Sequence, residues 1–163
     1  MAEPREIHRY DYVNHPYERV RDALRADAAA VFRAATSSAS ARAGDVAAAL
    51  RVNIAGLEIG KEIVIVVGKV EEKRSPAHKT MVLRQELTWQ AAKAPRLFPL
   101  MRAELSVYAL TATETQLDRL GHYRPPLGVL GKAIDKIVGH RIAEASVHQF
   151  LGDIAAHLRR TIR

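Results

Sequence analysis

The tail of the chain constrains its fold most. After Pro125 and Pro126 a helical pattern continues for about 35 residues, far past the roughly three or four turns of an ordinary globular helix. A helix of that length must lay its apolar stripe on something broad, and a sheet is the natural partner. On a helical wheel Leu127, Leu130, Ile134, Val138, Ile142 and Ala145 form one stripe, while Val147, Phe150, Leu151, Ile154 and Leu158 lie nearly opposite. The apolar face therefore switches around residues 142 to 147, which predicts that the two halves of the helix meet different layers.

The rest of the chain supplies the sheet. REIHRYDYVN, from Arg5, mixes β-branched, aromatic and charged residues and reads as a first strand. Asn14, as N-cap, and Pro16 open a short helix carrying Tyr17, Val20 and Leu24. A second, alanine-rich helix is expected from Asp27 towards Ala43, with Val31 and Phe32 buried. From Val46 the period becomes two. Leu50, Val52 and Ile54 alternate with polar residues, GLEIGK reads as a tight hairpin, and KEIVIVVGKVEEK reads as a central strand covered on both faces. MVLRQELTW, MRAELSVYAL and TETQLDRLGHY follow as further strands, separated by the turn RSPAHK and the proline-interrupted AAKAPRLFP. Consecutive antiparallel strands with helices at the two ends indicate an α+β fold in a single domain, residues 1–163.

Composition narrows the function classes. A hydrophobic fraction of 48% fits a globular domain, and no apolar run approaches the ~20 residues that span a bilayer. MAEPREIHRY has no apolar stretch and does not read as a signal peptide, so a cytoplasmic protein is expected. With no cysteine there is no thiol nucleophile or thiolate metal site. The net charge of +7 could serve nucleic acid or an anionic membrane surface. The basic residues are scattered, however, and no nucleic-acid motif accompanies them. The expectation is no nucleic-acid partner, with transient contact at a membrane surface left open. The residues do not speak to oligomeric state.

Four stretches together carry a resemblance: WQA at Trp89, LFPLMRAEL at Leu97, TQLDRLGHYRPPLGVLGKAID at Thr115 and HRIAEASVHQFLGDIA at His140. They resemble the START-like (Bet v 1-like, helix-grip) superfamily in its polyketide cyclase/dehydrase-like branch. The resemblance implies a helix-grip fold, in which a curved sheet of about six to seven antiparallel strands wraps a long C-terminal helix. Two short helices follow the first strand. It implies a hydrophobic cavity between sheet and helix that takes a small hydrophobic molecule such as a lipid, polyketide or aromatic compound. It implies no cofactor and transfers no catalytic set. The alternative is a cyclase or dehydratase-type enzyme acting through polar cavity residues, and whether any reaction follows stays open.

The expected cavity lining comes from the inner parity of the strands, Leu83, Leu87, Trp89, Met101, Leu105, Leu117 and Tyr123, and from the first helical stripe, Leu130, Ile134 and Val138. Arg141 and His148 extend that stripe where apolar residues stop and would meet a ligand's polar end; solvated side chains are the plainer reading. Arg119 shares parity with Leu117, so an inward Leu117 brings a guanidinium inward, to face a carboxylate or an anionic ligand head. The opposite parity puts Leu120 inside and Arg119 in water. His140, Glu144 and His148 stand four residues apart, but the outer pair is about 12 Å apart along the axis, too far to share an ion. No metal is expected. Tyr10 and Tyr12, on one parity, are further candidates for polarising a ligand carbonyl.

Overall fold

A computed structural model describes residues 5–26, 30–35, 63–91, 100–124 and 136–163. Five strands, β1 (Arg5–Val13), β2 (Ile63–Ser75), β3 (Thr80–Ala91), β4 (Leu100–Ala109) and β5 (Thr115–Arg124), form one antiparallel sheet in the order β1-β5-β4-β3-β2 among the described residues. Helix α1 covers residues 17–26, α2 is described over 30–35, and α3 is Lys136–Thr161. The expected strand around Leu50, the GLEIGK hairpin and the helical stripe from Leu127 to Ile134 lie outside the described residues. The described residues form five strands, fewer than the six to seven expected.

The register sets out the inner face as rows running across the sheet. One row is Val67, Leu87, Ala103, Gly121 and Ile7; the next is Val70, Gln85, Leu105, Arg119 and Arg9; the third is Glu72, Leu83, Val107, Leu117 and Asp11. A β-bulge between Val67 and Val70 keeps both valines on this face. Leu83, Leu87, Leu105, Val107 and Leu117 are buried here, and the core continues through Val20 and Leu24 of α1, Val31 and Phe32 of α2, and Val147, Phe150, Leu151, Ile154 and Leu158 of α3. The second helical stripe is thus core, as its spacing predicts. Phe150 stacks on Phe32 at 6.2 Å, joining α3 to α2.

Two local expectations are corrected. Val20 donates its N–H to the Pro16 carbonyl at 3.2 Å, so Pro16 occupies the N-cap position and Asn14 sits in the bend before it. KEIVIVVGKVEEK is not covered on both faces. Its strand β2 is an edge of the sheet among the described residues, and Val66, Val67 and Val70 are each more than 40% exposed. Apolar residues on both parities report hydrophobicity, not the position a strand takes in a sheet.

Ion pairs fix the helices at both edges of the inner face. On β1, Arg9 pairs with Glu144 of α3 at 2.8 Å, and Asp11 pairs with Arg159 at 2.9 Å. On β2, Glu72 accepts a 2.5 Å hydrogen bond from the Tyr17 hydroxyl and lies near Arg21 and Arg25 of α1. At the turn between β1 and α1, the Thr115 hydroxyl donates to the His15 carbonyl at 2.8 Å.

Candidate functional site

Arg119 is the residue that departs furthest from a plain core. Its relative exposure is 0%, whereas Leu120 next to it is 42% exposed, so the inward parity holds. The strand carries it inward because Thr115 and Leu117, four and two residues before it, are buried on the same face. Its guanidinium leans along the strand to Gly121. A Cβ there would lie 3.1 Å from Nη1 and 3.2 Å from the Cβ of Ala103. Glycine and alanine in that row are what leave room for the arginine head. Burial pushes the Arg119 pKa down to about 9, which keeps the group cationic at neutral pH.

The other buried polar side chains of the described residues are held by backbone or lie at turns. Gln85 Nε2 donates to the Gly68 carbonyl at 2.9 Å, to Lys69 at 3.3 Å and to Glu86 at 3.2 Å, closing the carbonyls that the bulge leaves open. Thr115 ties the β1–α1 turn, and Ser75 ends β2. None of these buried groups is a carboxylate or an imidazole.

Two spaces border the expected lining. A void of about 40 Å³ lies under α1 and α2, bounded by Leu24, Arg25, Phe32, Val70, Leu83, Gln85, Leu105 and Val107. It has room for about one water or methyl group, not for a ligand. Leu83 and Leu105 thus meet α1 and α2 here. Leu87 and Leu117 are packed in the core cluster. The second space is an open cleft of about 400 Å³ between β1 and α3, lined by Arg9, Arg141, Glu144, Ala145, His148 and Gln149. Arg141 and His148, separated by two turns of α3, are exposed and take no partner among the described residues. Sequence reasoning did not reach Arg9, because its place in the cleft depends on a contact with Glu144 across 135 residues.

Trp89, Met101 and Tyr123 fall in one cross-strand row of β3, β4 and β5, beyond the Leu87 row. Their side chains, and that of Val138 in α3, are outside what the structure describes, as are Leu130 and Ile134 altogether. Tyr10 and Tyr12 are 71% and 49% exposed, on the outer parity of β1, which removes them as groups facing an interior ligand. Tyr12 instead lies under the Arg159 guanidinium, 5.6 Å from its ring centre. Glu144 pairs across to Arg9 of β1. No helix among the described residues is long and apolar enough to cross a membrane.

An antiparallel sheet whose first strand leads into short helices and whose last leads to one long helix on its inner face is the helix-grip arrangement, the START-like or Bet v 1-like fold. Two solved structures share it over nearly their whole length. The aromatase/cyclase Zhui from Streptomyces sp. R1128 superposes with a TM-score of 0.52 at 14% identity, covering 99% of this chain and 97% of that one. A conserved protein from Geobacillus kaustophilus gives a TM-score of 0.57 at 12% identity, with 98% of each chain covered. At such identities the likeness is one of fold. No family model and no curated protein matches the chain.

Proposed function

We propose that this domain binds a small hydrophobic molecule between the inner face of its sheet and α3. The observation that carries the reading is the composition of that face at its centre. Small Ala103 and Gly121 stand beside a cationic Arg119 that is 0% exposed, in a fold whose sheet needs only a packed helix for stability. A guanidinium in the middle of an apolar face costs stability compared with a leucine there. Its retention fits a site that orients a ligand better than it fits a scaffold. Ligand hydrocarbon covered in such a site would contribute about 25 cal/mol per Å².

Binding is favoured over catalysis because the buried polar groups described do not assemble an acid–base pair. The likeness to an aromatase/cyclase supports the fold equally under either reading. The test is native mass spectrometry of protein purified without added ligand, together with titration by Nile red. An apolar adduct, or saturable dye binding that added lipid reverses, is expected. Protein that carries no adduct and leaves the dye unchanged under native conditions would sink the reading.

A further inference from the structure

The cleft between β1 and α3 has a charge character of its own. Among the described residues its walls hold two guanidinium groups, Arg9 and Arg141, against the single carboxylate of Glu144, with His148 and Gln149 also on the α3 side. Glu144 is engaged by Arg9, and the Gln149 amide is donated to Asp153 at 2.9 Å. The cation left over is therefore Arg141, with the His148 ring two turns further along the helix. Arg119 is the direct register partner of Arg9, their backbones about 5 Å apart across the ladder, and its guanidinium leans towards Gly121.

We propose that this cleft holds the oxyanion head, a carboxylate or a phosphate, of an amphiphilic ligand, with Arg141 and His148 as its hydrogen-bond donors. This rests on the hydrophobic-ligand reading above and names the polar half of that ligand. Arginine suits both heads, because its planar fork donates two parallel N–H bonds to a pair of oxygens. The cleft volume of about 400 Å³ takes such a head with its remaining water. One row along the sheet from Arg9 lie Ile7, Gly121, Ala103 and Leu87, a buried apolar row towards which a tail leaving the head would run. Glu144 sets a limit on the charge the cleft can take, and its neutralisation should widen it.

The experiment is displacement of Nile red by oleate, by oleyl alcohol and by inorganic phosphate, in mildly alkaline buffer at low and high salt. Oleate should bind about tenfold more tightly than the alcohol, the factor that one charge-assisted hydrogen bond confers. Arg141→Gln and His148→Gln should each narrow that ratio, the double variant should abolish it, and Glu144→Gln should enlarge it. High salt should narrow it in the natural protein. Equal binding of acid and alcohol, or a preference that survives in the double variant, overturns the inference and leaves the hydrophobic-ligand reading standing. If neither lipid displaces the dye, both fall. In that case a shift of the His148 ring signals with inorganic phosphate would mark a site for free anions only. Phosphate that competes with oleate but not with the alcohol identifies the shared oxyanion chemistry and supports the head-group assignment.

Discussion

Tyr17 and Glu72 show how one hydrogen bond can carry a measurable share of the fold. The phenol donates to the carboxylate at 2.5 Å from a helix that begins just after β1 to a strand at the far edge of the sheet. That bond, against the opposing effect of burial and with help from Arg21 and Arg25, holds the Glu72 carboxyl below the usual carboxylate range. Tyr17 shifts up, through burial first and then through Glu72. For Glu72 the folded pKa is the lower one, so its contribution is complete above the unfolded carboxylate pKa and is lost as pH falls through the folded value. Tyr17→Phe should destabilise the protein by about 1.5–3 kcal/mol near neutral pH, the range for a hydrogen bond to a charged group. The deficit should shrink in acid as Glu72 protonates in both proteins. Urea unfolding across the acid range measures this, and a deficit independent of pH would show that Glu72 is not the partner that matters. Neither residue announces this pairing in the sequence, where Tyr17 reads only as an apolar position of a helix.

Among the elements, the β2–β3 pair has its bulge closed by Gln85. The bulge after Val67 releases backbone carbonyls from pairing, and one buried amide serves Gly68, Lys69 and Glu86. Gln85→Leu fits the space and the apolar surroundings but leaves those acceptors without a donor. It should cost about 1–3 kcal/mol, read from chemical denaturation, with faster amide exchange confined to β2 and β3. A loss below about 0.5 kcal/mol, the level of an ordinary surface change, would mean that water replaces the amide. In MVLRQELTW the alternation marks position 85 as inward, which makes a polar residue there look like an error. The bulge that explains it arises only when β2 pairs with β3. The helices divide in the same way. The second stripe of α3, from Val147 to Leu158, was legible because 3.6-residue periodicity is a local property of the chain. Which layer each stripe meets is not.

At the scale of the whole molecule, α3 covers the inner face of the sheet together with α1 and α2. Val147, Phe150, Leu151, Ile154, Ala155 and Leu158 are each at most 2% exposed and share one core with Leu83, Leu105 and Leu117 of the sheet. The ion pairs Arg9–Glu144 and Asp11–Arg159 position the helix, but exposed pairs are each worth only about 0–1 kcal/mol. The holding force is apolar burial. A chain ending at residue 135 should therefore be insoluble or molten, with no cooperative thermal transition. A soluble truncation that unfolds cooperatively would refute the helix-grip arrangement.

By itself the sequence determined the kind of element over the described residues, the α+β class and the parity of most described strand residues, because these follow from backbone geometry over a few neighbours. It also placed Arg119 on the parity of Leu117, leaving two parities to choose from. The tertiary structure decided between them, since a slip of one residue exchanges Arg119 for Leu120 and only the pairing of β5 with β1 and β4 forbids it. The tertiary structure also set β2 at an edge of the described sheet, turned Tyr10 and Tyr12 outward, and brought Arg9 to Arg141 and His148 in one cleft. Those are relations between residues far apart in the chain. Their energies come from packing, charge and pairing that exist only once the strands have met.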